Sequence, residues 1–410
     1  MTRMASEASA SCHCDDDVNE NSDNLDIKPD LILLLTEMTR PRVVLVAATL
    51  EPGNGGIGRL ARLTARVLAQ KAAEGLIEAR AVTLADAEPQ NDLGIPVWTA
   101  ARSRMRFVAE VQRAAITDTH LIYDSLGPAR AHCLVPGLRK PFLAWICGIE
   151  IWPEANPPRL KRLRFKWAAR ADKIVSISDY TTTRSGLDAE VCWPGTESDD
   201  ALSVGDVTAR PPRVLALGRV DESDKGHHAL VKAWPDVVRA LPNAILTFVG
   251  KGPKLHLLKD AVERSGVGGN IEILGFVPDD ALEAIWSQSR VFALPSVVEG
   301  FGLVYVEAMR HGIPVVATVH DAGGEINVDG ETGFNVNLNN AGELAARLIT
   351  LLSDDNLART MGQHGLDRWR RSFRFGAFSD RFGKILDRFV GTPPSDTGPA
   401  PRGQLSRNGA

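Results

Sequence analysis

The stretch Pro295-Ser-Val-Val-Glu-Gly-Phe-Gly-Leu-Val-Tyr-Val-Glu-Ala-Met309 constrains this chain more than any other. An apolar run over residues 291–294 precedes it and has the length of a buried parallel strand, while residues 303–310 follow as a helix. Strand, loop and helix start in that order describe the carboxyl edge of an open α/β sheet, where such folds bind ligands. Gly300 and Gly302 let the backbone approach a ligand, and the N–H groups around Leu303 favour an anion such as a phosphate. Glu299 and Glu307 flank that anion position, and a carboxylate that accepts two hydrogen bonds suits a diol. Spacing alone leaves a second reading open, in which Glu299 caps the helix and Glu307 complements its dipole.

The same strand-loop-helix alternation runs through the chain. Residues 43–48 form the first expected strand, followed by Gly53-Asn-Gly55-Gly56-Ile-Gly58 and a basic helix from Arg59. Further strands are expected at 79–84, 120–123, 142–146 and 174–177. Two of these put Asp124, Cys147 and Glu150 at the carboxyl edge. A second series opens at 213–217 and leads into Gly218-Arg219 and, six residues on, Lys225. Two cations on one loop can clamp a diphosphate from both sides. Strands at 244–249, 271–274 and 313–317 follow, and the turn Gly250-Lys-Gly-Pro253 lies on the same edge.

At 410 residues the chain holds two domains of ordinary size. The net charge of −4 comes from the acidic first forty residues, which contain nine acids and three bases. This is no nucleic-acid footprint. Five cysteines, Cys12, Cys14, Cys133, Cys147 and Cys192, form no disulfide framework and point to a reducing cytoplasm. Cys12-His13-Cys14 lacks a second ligand pair for a metal. No apolar run reaches the length of a membrane span. Residues 1–40 read as a disordered acidic tail, with Met38 an alternative start to Met1, and residues 391–410 as a second disordered tail. Between them lie a first domain over 41–200, a linker over 201–212, a second domain over 213–372 and a terminal helix over 373–390.

Glu299-Gly-Phe-Gly-Leu with Glu307 resembles the E-x7-E motif of retaining glycosyltransferase family 4. Further pieces recur in that family's order: Gly55-Gly56, Cys147-Gly-Ile-Glu150, Gly218-Arg219 with Lys225-Gly226, Val249-Gly250-Lys-Gly-Pro253 and Leu274-Gly-Phe-Val-Pro278. The resemblance implies the α/β GT-B fold: two facing Rossmann-like domains, a cleft between them, and a C-terminal helix crossing back to the first. It implies that Glu307 holds the ribose of a nucleotide-sugar donor and Glu299 its hexose. Phe301, Gly302 and Leu303 would add backbone contacts, and Val277 would lie in the loop that reads the base. Arg219 and Lys225 would stabilise the departing diphosphate, and Gly55-Gly56 would face the donor phosphates across the cleft. Cys147 stands where many members have a histidine near the transferred sugar, with Asp124 and Glu150 the candidates to take over part of its task.

The expected activity is metal-independent, retaining transfer of mannose or glucose, from GDP-mannose or UDP-glucose, to a glycan or lipid-linked acceptor. No cofactor is expected, and no metal, since no paired-aspartate motif is present. Residues 159–170, from Arg159 to Arg170, carry six bases and no acid around an apolar stripe, which suits peripheral contact with an anionic membrane or simply a solvated helix. Two other classes stay open. Gly53-x-Gly55-x-x-Gly58 also matches the dinucleotide fingerprint of an NAD-dependent oxidoreductase, with Asp86 as its acid. Cys147 in place of the histidine would also suit a non-catalytic nucleotide-sugar-binding relative.

Overall fold

The computed structural model describes residues 40–129, 140–148, 170–200, 202, 205–221 and 225–391. Glu150, the basic stretch 159–169, Cys12-His13-Cys14, Met38 and residues 392–410 lie outside them. The chain divides into two units at Arg40/Pro41, and the two sheets both lie in the second.

Runs of β-branched and aliphatic residues with no polar alternation belong in parallel strands covered on both faces. Val43-Val44-Leu45-Val46 is such a run, and all four side chains are fully buried. It forms the centre of β1 (Arg42–Ala47), joined by β2 (Glu78–Thr83), β3 (Val97–Thr99), β4 (His120–Tyr123), β5 (Phe142–Ile146), β6 (Lys173–Ser176) and β7 (Glu190–Val191). All pair in parallel in the order β3-β2-β1-β4-β5-β6-β7. The second sheet comprises β8 (Arg213–Leu217), β9 (Ile245–Val249), β10 (Ile271–Gly275), β11 (Val291–Ala293), β12 (Val315–Thr318) and β13 (Gly333–Val336). Its order, β10-β9-β8-β11-β12-β13, is also parallel throughout.

In each sheet the chain starts in the middle, winds outward to one edge, then returns to wind the other way. The reversal falls between β1 and β4 in the first sheet and between β8 and β11 in the second. Loops leaving adjacent strands in opposite directions open a crevice at that point. The four loops concerned begin at Ala48, Asp124, Gly218 and Leu294, and they carry most of the site residues expected from the sequence.

The final helix, Phe375–Gly391, returns to the first sheet and packs on the helix Gly55–Ala73. Phe378 and Phe382 lie against Trp145 of β5, with ring centroids 6.3 and 5.3 Å away. Ser379 donates to Gln70 at 2.6 Å, and Lys71 lies 2.9 Å from Asp387. The 18-residue helix before it, Asp355–Ser372, has no counterpart in the sequence reading.

Candidate active site

The loop after β8 and the loop after β11 meet because a glycine lets them. Gly226 sits at φ +80°, and a Cβ there would fall 2.2 Å from the Pro295 carbonyl oxygen. This contact sets Lys225 beside the Glu299 loop. Its Nζ lies 2.7 Å from Oε2 of Glu299 and donates to the Val298 carbonyl at 2.9 Å. Both side chains are less than one-fifth exposed. Arg219 points elsewhere: its side chain is 77% exposed and its guanidinium pairs with Asp221 at 3.2 Å. Gly218 and Gly250 lie side by side under this loop, the Gly250 N–H donating to Gly275 at 2.7 Å. Val277 is half-buried, and beside it Phe276 is exposed, with Lys251 Nζ 4.4 Å from its ring centroid.

Helix Leu303–Arg310 begins after Gly302 with no side-chain cap and no acid in its first turn. Its unsatisfied N–H groups and dipole make a site for an anion. Phe301 is buried against Phe373, so only its backbone is available to a ligand. Glu307, just over one turn into the helix, forms an ion pair with Arg59 of the helix Gly55–Ala73. This contact joins the two halves of the chain. Gly56, at the start of that helix, faces Leu303: a Cβ on Gly56 would lie 4.0 Å from the leucine Cδ1. Two helix N-termini therefore meet here.

Further contacts hold the halves together at the same place. Gly300 approaches the first sheet so closely that a Cβ would fall 2.4 Å from the Cys147 carbonyl oxygen. Its own carbonyl accepts from Ser178 Oγ at 2.7 Å and Thr181 Oγ1 at 3.3 Å. Glu325, from the second half, accepts from the backbone N–H groups of Asp179 and Tyr180 at 3.1 and 3.0 Å, and so caps the helix Asp179–Ser185. The Tyr180 hydroxyl donates to the His320 carbonyl at 2.9 Å.

Asp321 lies just before the short helix Gly323–Ile326 that carries Glu325, and it is almost fully buried. Its Oδ1 accepts from the Gly323 N–H at 2.9 Å. Burial, with the charge of Glu299 adding to it, pushes this carboxyl up to about 7. Tyr305, entirely buried beside it, donates its hydroxyl to Leu294 at 2.7 Å, and burial raises the phenol well above its ordinary range.

Two residues singled out from the sequence are turned inward. Asp124 is fully buried, accepting from the Ala48 N–H at 2.8 Å and the Ser125 hydroxyl at 2.9 Å, so it ties down the loop after β1. Asp86 does the same from β2: it is fully buried and accepts from the Leu50 N–H at 2.9 Å. It faces the loop interior rather than any ribose position. Cys147 is half-buried, with Sγ donating to the Asp124 carbonyl at 3.6 Å.

The sequence reading missed Arg59, Asp321, Glu325 and Ser178 as members of this constellation. Arg59 lies only a few residues past Gly55-Gly56, and Asp321 and Glu325 follow the strand expected at 313–317. Position relative to the strand ends was the signal available for all three.

Solved structures share this architecture. Anabaena Alr3699/HepE in complex with UDP and glucose superposes with a TM-score of 0.69 at 19% identity, over 85% of this chain and 100% of that one. Sucrose-phosphate synthase (tll1590) from Thermosynechococcus elongatus gives 0.72 at 20% identity, over 85% and 99%. The fold is GT-B. Within the GT-B chain, residues 204–368 match the family model described as Glycosyl transferases group 1. A GDP-mannose-dependent alpha-(1-6)-phosphatidylinositol monomannoside mannosyltransferase of Mycolicibacterium smegmatis is 30% identical over 226 residues, covering 49% of this chain and 59% of that protein. The phosphatidyl-myo-inositol mannosyltransferase of Mycobacterium leprae is 36% identical over 214 residues, covering 50% and 56%. The chain thus spans a little over half the length of each of these relatives.

Proposed function

We propose that this protein is a glycosyltransferase that moves a hexose from a nucleotide-diphosphate sugar to a lipid-linked or glycan acceptor, with retention of configuration and without a metal ion. The observation that carries the reading is the convergence of Lys225, Glu299, Glu307 and the uncapped start of the Leu303–Arg310 helix at the reversal point of the second sheet. The match of residues 204–368 to a glycosyltransferase family supports it. GDP-mannose is the favoured donor, because relatives matched here are named as GDP-mannose-dependent, and a phosphatidylinositol-type lipid is the favoured acceptor class.

On this reading Glu307 accepts the ribose hydroxyls and Glu299 those of the hexose. Breaking the glycosidic bond develops negative charge on the departing diphosphate. Lys225 and the N–H groups at Leu303 meet that charge with donors already in place, which lowers the barrier without reorganisation, whereas Arg219 would have to leave Asp221 to join them. The acceptor enters from the loops after β1, β4 and β5, on the same face as the leaving group. The departing phosphate then takes the acceptor's proton, and no strong enzymic base is required. No helix among the described residues is long and apolar enough to cross a membrane. Cytoplasmic location, with peripheral membrane contact through the 159–170 stretch, is part of the proposal.

Titration calorimetry with GDP, UDP, ADP and NAD, each with and without magnesium, tests the reading. One nucleoside diphosphate should bind independently of magnesium and lose affinity in Glu307→Ala. Binding of NAD alone would overturn the transferase reading.

A further inference from the structure

The ion pair between Arg59 and Glu307 poses a question the reaction scheme leaves open. Glu307 can accept a ribose diol only if its carboxylate is available, yet here it carries a guanidinium from the opposite half. The Arg59 side chain is 30% exposed and that of Glu307 18%, so water reaches the guanidinium side of the pair and a ligand can compete for it. Around it the N-terminal turns of the helices Gly55–Ala73 and Leu303–Arg310 come together at Gly56 and Leu303, and neither has an acid in its first turn or a side-chain cap, so both dipoles favour an anion. A guanidinium released there by a competing diol can turn to the diphosphate that arrives with that diol.

We propose that Arg59 exchanges partners when the donor binds, giving up Glu307 to the ribose and turning its guanidinium onto the diphosphate. The proposal rests on the nucleotide-sugar reading above. It makes Arg59 the residue by which the first half senses that the second half is loaded. Arg59 then opposes binding of the nucleoside part of the donor and favours binding of the phosphate part. A purely structural role would move both in the same direction.

The test compares binding of guanosine, uridine and their diphosphates to the full chain, to Arg59→Ala and to Arg59→Lys, by calorimetry. In Arg59→Ala the matching nucleoside should bind several-fold more tightly, because its competitor for Glu307 is gone. The matching diphosphate should bind about ten-fold more weakly, the ordinary cost of one charge-assisted contact. Arg59→Lys should recover part of the diphosphate affinity and keeps the inference testable if the alanine variant folds poorly. An unchanged ratio of diphosphate to nucleoside affinity in both variants would overturn the exchange while leaving the transferase reading intact. If the parent chain binds no nucleoside diphosphate, the transferase reading itself falls, and the exchange with it.

Discussion

The indole Nε1 of Trp193 donates to Oε1 of Glu325 at 2.6 Å, so a side chain following β7 is bound by a carboxylate of the other half. The same carboxylate takes the Asp179 and Tyr180 N–H groups, which makes it the shared acceptor for three donors of the first half.

Removing that acceptor should loosen the halves. Glu325→Ala leaves three donors without their partner, and we expect a loss of about 1–3 kcal/mol in unfolding free energy. Glu325→Gln keeps one oxygen acceptor and should lose less. Urea denaturation of both variants checks this, and equal stability of all three proteins would show that the contacts contribute nothing.

Asp321 should give stability a pH dependence of recognisable sign. Its carboxyl ionises near 3.8 in the unfolded chain and near 7 when folded. Between those values the folded state binds more protons than the unfolded one, so stability falls as pH rises from about 4 to about 7 and then levels off. Asp321→Asn keeps the Gly323 contact and removes the titration. It should therefore be the more stable protein at pH 8, by up to roughly 4 kcal/mol, and lose its advantage below about pH 4. Parallel stability profiles for the two proteins from pH 4 to 8 would exclude this role for Asp321.

Lys225 and Glu307 should separate kinetically. On the proposed reading Lys225→Ala removes a donor to the developing charge and should lower kcat by about 10² or more, with a smaller effect on KM. Glu307→Ala should raise the donor KM and leave kcat closer to that of the parent. Steady-state kinetics with the donor identified by calorimetry decides it. Near-parent kinetics in both variants would remove the assignment.

Two glycines with similar φ should differ sharply. Gly226→Ala drives a methyl into the Pro295 carbonyl and should cost more than about 3 kcal/mol or prevent folding. Gly55 has φ +73° but nothing within 4 Å of an added Cβ, so Gly55→Ala should cost only the left-handed penalty of about 1–2 kcal/mol. Thermal unfolding of the two variants side by side provides the comparison.

Much of this architecture is legible in the sequence because buried parallel strands are short apolar runs punctuated by glycine. The strands at 120–123, 142–146 and 213–217 and the helix at 303–310 coincide with the observed elements. The helix Asp355–Ser372 is not legible in the same way. Its buried face is Ala358, Met361, Gly362, Gly365, Leu366 and Trp369, half of it alanine and glycine, which carry little hydrophobic signal. Those small residues serve close approach instead: a Cβ on Gly362 would fall 2.1 Å from the Gly312 carbonyl oxygen. Edge strands β3 and β7, of three and two residues, are too short to show a period. In the site, each loop can be placed from its own sequence, but the pairing of Arg59 with Glu307 spans 248 residues and leaves no local trace.

The capping of the Asp179–Ser185 helix by Glu325 also bears on how the chain is made. Some 145 residues separate Tyr180 from its acceptor, so a ribosome releases the helix long before the carboxylate that completes it. Until then Ser178, whose hydroxyl accepts from Thr181 at 3.0 Å, is its own local cap. The first half thus emerges with one element unfinished, and its last turn of assembly waits on synthesis of the second.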